Sequence, residues 1–518
     1  MSYPIRKNAR IHLEAESAFA INSGKVGLIR DNEILRDSNG LPYIPGTTLA
    51  GILRHLSGNL EETAQVFGSG GKDGEGSKVM ISSACIIGEE GLVIEGLQSL
   101  PQTDFYSHFQ KLPFRDHVAI SEKGAAVKGA KFDEEIIFKG TRFVFDLELI
   151  CNSAKETSWD SLMDTLFDPD FRIGHGTRKG LGQFKILPDS HQVCYNLNLE
   201  EDLENYLKKP SSLNGKLPGD RKQINSLENN FDDYQSEKIE LIPVNFFLFG
   251  AGFGDMDVDH TSKREKIVSW VDGKPKITEK EFIIIPATSI KGALAHRVMY
   301  HYNYKTENFI QSSKGSEEKD TSMDIELLLN KLQSLSQETE LTEETTDEKF
   351  SAMLEVISNF QFDQDETWIT YEKNLTNELD HRSRKGKVAD QSKKVIRDLF
   401  GYAGDQEQEQ GQGQRGNVLV EDCYIPYQED QEKIFNHVKI DRFTGGASSS
   451  ALFQEKAYYY PKSISLQILV KKSIFDLDPN YSVAWEKAIE ELKSGQIPLG
   501  GMTTKGHGLF KPLNSQNS

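Results

Sequence analysis

The chain has 518 residues, of which 37% are hydrophobic and 27% are charged, a composition typical of soluble globular domains. It has no apolar run near the roughly 20 residues that span a bilayer. The four cysteines show no CxxC spacing, which argues against a disulfide framework or a zinc site. The amino-terminal segment lacks the apolar stretch of a secretion signal, so we expect a cytoplasmic protein with no membrane partner.

The formal net charge of −19 is unevenly distributed along the chain. Between residues 305 and 380, 19 acidic side chains outnumber 6 basic ones, so this segment carries −13 and the rest only −6. Because the local field attracts phosphate, and not the total charge, the acidity of the chain does not exclude a nucleic-acid-binding groove elsewhere.

One short unit occurs twice in the sequence. Residues 44–54 read IPGTTLAGILR, and residues 285–294 read IPATSIKGAL. In both copies a Pro-small-Thr-Thr/Ser turn supplies hydroxyl caps, and apolar residues then recur at helical spacing. Each copy therefore predicts a strand followed by a helix whose N-terminus is suited to an anion such as phosphate.

The predicted elements follow the same order in both halves. In the first half they are a strand at 10–20, a helix from 48, a strand at 78–81, a long hairpin at 117–135, a strand at 141–150 and a glycine-rich loop at 174–185. In the second half the corresponding segments are 241–250, 285–294, 417–420, 437–456, 463–470 and 501–511. This order predicts an α+β chain of two tandem ferredoxin-like or RRM-like domains, each with a protruding β-hairpin.

The same pattern predicts the domain boundaries. We expect a first domain over 1–188, a linker with a short helix over 189–240, and a second domain over 241–518. An acidic insertion of helical character, about 305–395, separates the helix of the second domain from its next strand, where the first domain has only a short connection.

These landmarks resemble the RAMP superfamily of CRISPR effector proteins, in particular the group-seven backbone subunits of type III complexes. IPGTTLAGILR and IPATSIKGALAHR are similar to the family's IPGSSLKGxxR element. GTRKGLGQFK and TTKGHGLFK resemble its closing glycine-rich loop, and the HVxI…FxE hairpins resemble its thumb. The resemblance implies two consecutive backbone subunits fused in one chain, which bind a crRNA guide together with other effector subunits.

In that family the thumbs kink the guide–target duplex, and an acidic loop residue cleaves the target RNA beside each kink, in antiviral defence. The family's loop carries an Asp and then an Arg-acid pair before the IPG element. Asp31 and Asp259 fit this form as the catalytic residues. Asp257 and Asp255 in the same loop are rivals, and Asp272 lies as far before its proline as Asp31 does. An aspartate of this kind outside such a pattern is usually a solvated turn residue.

The chemistry of a lone carboxylate leaves two mechanisms open. Asp31 and Asp259 can hold a hydrated Mg²⁺ or Mn²⁺ against a phosphate. Alternatively, the kinked duplex supplies in-line geometry and the aspartate acts as a base or an orienting group. A metal-independent version would use the equivalent His117 and His437 as acid and base, whereas His260 beside Asp259 has no counterpart in the first loop.

Candidate guide-RNA contacts lie on the repeated helices and closing loops, where glycine lets backbone amides approach a phosphate. They are Thr47, Thr48, Arg54, Gly176, Arg178, Lys179, Gly180, Ser289, Lys291, Arg297, Thr503, Thr504, Lys505 and Gly506. The glycine loops are also typical of tight hairpins at a sheet edge. A further basic run between 382 and 397 either binds RNA or balances the acidic insertion.

The sequence thus predicts a type III CRISPR effector subunit that binds crRNA and cleaves single-stranded target RNA at two acidic loops. It would be a divalent-metal-dependent endoribonuclease acting within a ribonucleoprotein complex. Two alternatives stay open: a non-catalytic crRNA-binding scaffold, and a metal-independent RAMP ribonuclease that processes the guide.

Overall fold

The computed structural model describes residues 3–24, 32–58, 60–70, 74–120, 126–225, 232–252, 254–255, 257–308, 394–402 and 413–513. The chain divides into two compact units, Met1–His301 with Ile396–Ser518, and Tyr302–Val395. Residues 309–393 lie outside the described residues. Most of the insertion predicted at about 305–395 and most of the basic run from 382 therefore fall there.

The first half contains five helices and nine strands in its described residues. The helices are α1 (Gly46–Leu56), α2 (Leu60–Phe67), α3 (Asp104–Gln110), α4 (Thr157–Thr165) and α5 (Glu200–Leu207). The strands are β1 (Ile5–Ala15), β2 (Val79–Ile81), β3 (Cys85–Ile86), β4 (Phe114–Ile120), β5 (Ala126–Glu135), β6 (Arg142–Cys151), β7 (Phe184–Ile186), β8 (His191–Asn196) and β9 (Lys222–Gln223).

The second half continues with strands and with helices α6 (Ala287–Lys305), α7 (394–400) and α8 (Pro479–Lys493). The strands are β10 (Tyr234–Pro243), β11 (Arg264–Glu265), β12 (Val268–Val271), β13 (Lys274–Ile277), β14 (Phe282–Ile285), β15 (Gly401–Tyr402), β16 (Gln414–Arg415), β17 (Val418–Val420), β18 (Cys423–Pro426), β19 (Glu432–Ile440), β20 (Ala447–Tyr458), β21 (Ile464–Lys471) and β22 (Phe510–Pro512). Short 3₁₀ turns occupy Glu429–Gln431, Lys472–Asp476 and Thr503–Lys505.

Both halves build the same antiparallel sheet. The strand order is β2-β6-β1-β7 in the first half, with β8 sharing the edge of β1, and β17-β21-β10-β22 in the second. Along the chain, helices follow β1 and β6 in the first half and β10 and β21 in the second. A helix after the first and after the third of four strands is the ferredoxin-like arrangement. The structure therefore confirms the predicted α+β class. The first strand of each sheet begins earlier than expected, since polar residues at its start still pair with the next strand, as Tyr234 does with Lys471.

The helices cover one face of each sheet with their apolar residues. Leu49 and Leu53 of α1 are fully buried in one cluster with Trp159 of α4 and with Phe143 and Phe145 of β6. The spacing of Leu49 and Leu53 is the helical repeat recognised in the sequence. This packing holds the start of α1 at the edge of the sheet.

Residues 189–225 of the segment predicted as a linker cover the opposite face of the first sheet and add β8 and β9 to it, whereas 234–240 belong to β10 of the second sheet. That face is charged: the fully buried Arg10 binds Asp146 through two 2.8 Å contacts. Lys209 reaches the carboxylate of Glu148 at 2.7 Å. Because the sheet face is charged, the segment that covers it is polar, and this gives it the composition of a linker.

A buried ion cluster joins the two halves. The guanidinium of Arg115, on β4, binds the Glu265 carboxylate at 2.7 and 2.9 Å and Asp422 at 2.6 Å. Burial lowers the pKa of Arg115, but the charges of Asp422 and Glu265 outweigh it and hold this pKa well above the usual value. The hairpin of β12 and β13 also crosses over, since Trp270 Nε1 donates to the carbonyl of Gly140 at 2.7 Å. The halves therefore form one continuous body.

Candidate nucleic-acid interface

Two loops with the same hydrogen bonds follow the first strand of each sheet. In the first loop Ser23 N–H donates to the Glu33 carbonyl at 2.9 Å, and in the second Ala251 N–H donates to Thr261 at 2.9 Å. The shift of 228 residues is the same for both bonded partners. Asn32 forms a parallel bridge to Glu134 on β5, and His260 forms the same bridge to Glu455 on β20. Asp31 lies outside the described residues, but this shift makes Asp259 its counterpart.

The three acidic residues of the second loop differ in their contacts. Asp255 and Asp257 share the ammonium of Lys456, at 2.7 and 3.2 Å. Its hydrogen bond lowers the pKa of Asp255. Asp259 is exposed, and its Oδ2 accepts a hydrogen bond from the backbone N–H of Gln454 at 2.7 Å. No basic side chain in the described part of the chain forms an ion pair with Asp259. By contrast, Asp272 lies outside this loop, at the tip of the β12–β13 hairpin.

We call the hairpin of β4 and β5 the first thumb and that of β19 and β20 the second thumb. They match the predicted hairpins, and both change register at the same place, between Val118 and Ile120 and between Val438 and Ile440. The base of each thumb lies beside its acidic loop, since the parallel bridges described above join them.

A buried glutamate lies between two histidines at each thumb base. In the first thumb, Glu134 is 0% exposed, with His117 Nε2 at 2.7 Å and His175 Nδ1 at 3.1 Å. Burial favours the neutral acid, but the nearby imidazoles of His117 and His175 lower the pKa of Glu134 to about 2.

The second thumb repeats this arrangement. Glu455 is 0% exposed and lies 3.0 Å from His437 Nε2 and 3.1 Å from His507 Nε2. His117 and His437, which the sequence offered as an acid and base, therefore each contact a buried carboxylate. The signal for these clusters was in the sequence: the repeated FxE of the hairpin and a histidine in each closing loop.

An aromatic ring and a lysine accompany each cluster. His117 stacks on Phe132 with ring centres 4.9 Å apart, and Lys179 lies 5.1 Å from the same ring. In the second half the stacked pair is His437 and Phe453 at 4.7 Å, and Lys505 lies 4.5 Å from that ring. Two of the predicted RNA contacts, Lys179 and Lys505, thus occupy equivalent places beside the two thumbs.

A cleft opens at the N-terminal end of α1. It is lined by Thr47, Thr48, Gly51, Ile52, His55, Leu56, Asp170, Arg172 and Arg415. Arg172 has a side chain only 2% exposed, and its Nη1 has no hydrogen-bond partner among the described residues. Sequence reasoning did not single out Arg172 or Arg415, because nothing in their surrounding residues marks them.

The single acid of this cleft is neutralised by its neighbours. Asp170 binds Arg178 at 2.6 Å and Lys471 at 3.2 Å, and lies 3.8 Å from Arg415. Burial favours its neutral form, but the charges of Arg178 and Arg415 help lower the pKa of Asp170 to about 2. Arg172 itself pairs with Glu421 at 3.4 Å through Nη2, so its Nη1 and the half-exposed Arg415 are the cationic donors that face the cleft.

The start of α6 differs from the start of α1. Asp422 Oδ1 accepts a hydrogen bond from the N–H of Ala287, the first residue of α6, at 2.8 Å. The corresponding position in the first half is Ser83, whose hydroxyl lies 3.3 Å from the N–H of Gly46. A carboxylate of the chain itself thus occupies the anion position at α6, whereas a neutral hydroxyl stands there at α1.

Four predicted RNA contacts are engaged within the protein. Arg178 donates to the Gly416 carbonyl at 2.7 Å, and Lys291 donates to the carbonyls of Arg178 and Phe400 at 3.1 and 2.8 Å. Burial, with the charges of Arg178 and Lys179, lowers the pKa of Lys291 to about 8. Gly180 packs against Ala287 and Asp422, where a Cβ atom would lie 2.5 Å from both.

The fourth is Arg297, which forms a two-point ion pair with Glu491 at 2.5 and 2.6 Å. The other predicted contacts reach solvent to different degrees. Thr47, Arg54, Thr504, Lys505 and Gly506 are exposed, and Thr48, Gly176, Lys179, Ser289 and Thr503 are half-buried.

Across the described residues, no cluster of three or more histidine, cysteine or acidic side chains is arranged to enclose a metal ion. Within the same residues, none of the helices combines the length and apolarity needed to cross a bilayer.

The chain folds as two ferredoxin-like sheets of the same strand order, each with a long thumb beside the loop that follows its first strand. The family model of the RAMP superfamily matches residues 12–185 and again residues 270–511. The chain therefore belongs to the RAMP superfamily, and its role is that of a CRISPR-associated RNA-binding protein with partners in a CRISPR complex. No curated protein matches the sequence significantly.

Proposed function

We propose that the protein is a tandem backbone subunit of a type III CRISPR effector complex, which binds crRNA and cleaves complementary target RNA at two sites in antiviral defence. The observation that carries this proposal is the repeated loop. In the sequence, Asp31 and Asp259 are separated by the same 228 residues that relate the described residues of the two loops, and each loop is bridged to the base of a thumb. Two equivalent acidic residues, one beside each sheet, are what a ribonucleoprotein that cuts one target RNA at two places requires.

Guide binding is supported by the cleft at the start of α1. Thr47 and Thr48 lie where backbone N–H groups and the helix dipole favour an anion. The unpartnered Nη1 of Arg172 adds a charged donor, and an arginine so deeply buried is seldom left unsatisfied unless a ligand completes it. A phosphodiester would supply an acceptor for this Nη1.

Cleavage is assigned to Asp31 and Asp259. The hydrogen bond from Gln454 fixes the orientation of the Asp259 carboxylate, which is exposed and free of the lysine that neutralises Asp255 and Asp257. Such a carboxylate can orient the attacking 2′-hydroxyl or accept its proton.

A single exposed carboxylate also fits Mg²⁺ or Mn²⁺, which bind proteins through one or two carboxylates and complete their shell with water and phosphate. Asp259, with Asp31 in the other loop, would hold the ion, and the ion would stabilise negative charge on the phosphate. The described residues offer no complete cage, so the RNA would supply part of the shell.

The test is cleavage by the complex assembled with guide RNA and a complementary target. Asp31→Ala and Asp259→Ala should each erase one product and leave the other, with target affinity unchanged. Asp257→Ala is the matched control, because it removes an exposed carboxylate two residues away and should leave both products. A chelator should stop both cuts if the divalent ion takes part.

The alternatives make different predictions in the same experiment. A non-catalytic scaffold would give both products with either aspartate replaced, or give none in the wild type. A guide-processing ribonuclease would cleave repeat RNA as the isolated chain with the chelator present. His260, an exposed imidazole next to Asp259, is the group available for that chemistry in the second half only.

A further inference from the structure

The glutamate at each thumb base ties together three separate parts of the chain. In the second half Glu455 is on β20, His437 is on the paired strand β19, and His507 belongs to the closing loop. The first half has the same arrangement around Glu134. Neither half needs these residues to fill its apolar core, so their repetition at one place calls for another explanation.

Glu455 lies completely buried between its two histidines. The carboxylate is completely buried, and neither of its oxygens has a well-directed hydrogen-bond donor among the described residues. A buried carboxylate without donors is costly unless an opposite charge lies close by. His437 and His507 are the groups within 3.1 Å that can carry this charge. The cluster therefore holds the thumb against the closing loop.

The backbone around Glu455 also holds the acidic loop. Gln454, the residue before it, donates its N–H to the Asp259 carboxylate at 2.7 Å. Lys456, the residue after it, donates its N–H to the His260 carbonyl at 2.8 Å. In the first half Glu135 N–H donates to the Asn32 carbonyl at 3.2 Å in the corresponding way. Any rotation or sliding of this strand would move the carboxylate proposed to act on RNA.

We propose that Glu134 and Glu455 are positioning residues for the cleavage proposed above, each fixing the orientation of its own acidic loop through the thumb strand. They do not touch the RNA. Each acts through its strand on the neighbouring loop: Glu134 acts through Asn32, the residue after Asp31, and Glu455 acts through Asp259 itself. This inference rests on the proposed function, and it adds a second residue per site that the cleavage motif does not include.

The experiment uses the complex assembled with guide RNA, where the two products report the two sites separately. Glu455→Gln keeps the shape of the side chain and removes its charge. It should slow the product that Asp259→Ala erases at least tenfold at saturating target, with an unchanged apparent KM and an unchanged rate for the other product. Glu134→Gln should do the reverse. Glu429→Gln, an exposed acid before the second thumb, is the matched control and should alter neither product.

The second set of variants guards against loss of folding. His507→Gln leaves Glu455 in place and should give the same selective slowing, even where Glu455→Gln fails to assemble. The side chain of His175 is 46% exposed, so imidazole from solution can reach its site. His175→Ala should therefore slow the first-site product, and added imidazole should restore part of the rate. A merely structural role would not give this recovery.

Three results would overturn the inference: unchanged product rates in Glu455→Gln and His507→Gln, equal slowing of both products, or a rise in KM in place of the fall in kcat. A stoichiometric transition metal lost on Glu455→Gln would also overturn it, since the glutamate would then be a ligand. If Asp259→Ala leaves both products intact, the proposed function fails. If Asp259→Ala erases one product and Glu455→Gln has no effect, only the positioning role fails.

Discussion

The ion cluster between the two halves gives a stability prediction whose size follows from burial. The side chains of Arg115, Glu265 and Asp422 are 7%, 3% and 0% exposed. Arg115→Met removes the cation and leaves two carboxylates without solvent. Removing one partner of a buried ion pair costs about 3–5 kcal/mol. Asp422 keeps its bond to the N–H of Ala287, which places the expected loss of unfolding free energy at about 3 kcal/mol or more.

The assay is urea unfolding of the chain followed by tryptophan fluorescence. The triple variant Arg115→Met, Glu265→Gln, Asp422→Asn has no buried charge to strand, and the asparagine can still accept the bond from Ala287. We expect it to recover at least half of the loss. The loss in Arg115→Met should also shrink at low pH, where the carboxyl groups take up protons. Arg442→Met, at an exposed position, is the control. A loss below about 1 kcal/mol, the range of exposed pairs, or a triple variant no better than the single one would refute the reasoning.

The other predictions concern a base, an anion site and the core. The pKa of Lys291 is about 8 in the folded chain, against 10.5 for a lysine in water, so the unfolded chain binds more protons between these values. The free energy of unfolding should therefore rise with pH across that window, by up to about 3 kcal/mol. Urea titrations at both ends of the window measure this rise, and Lys291→Met should lack the contribution that the wild type shows. Arg172→Gln should weaken guide binding and reduce the slope of log affinity against log salt by about 1, as measured by filter binding, whereas Arg221→Gln, at an exposed position of the segment 189–225, should change neither. Trp485→Ala should destabilise the second half by about 3–5 kcal/mol in urea unfolding, because the indole is fully buried; a loss within 1 kcal/mol would contradict this.

The position of the candidate acid could be predicted from the sequence, but the ion pairs of the acids around it could not. The Asp-x4-Arg-acid form pointed to Asp259, and the constant shift between the loops agrees with that alignment. Only the fold shows that Lys456 neutralises Asp255 and Asp257, since the lysine is about 200 residues away along the chain. The role of these acids in cleavage stays a prediction.

The duplication, the order of strands and helices, and the thumbs could be predicted from consecutive residues, because they depend on local periodicity, caps and turns. Tertiary structure alone decided which cations face solvent. Arg178 and Lys291 carry the same local signals as Lys505, yet the first two are engaged between the halves and the third is exposed. It also decided that the polar segment 189–225 covers a charged sheet face. Pairing between distant residues sets the partner of each charge, and no local pattern in the chain encodes that partner.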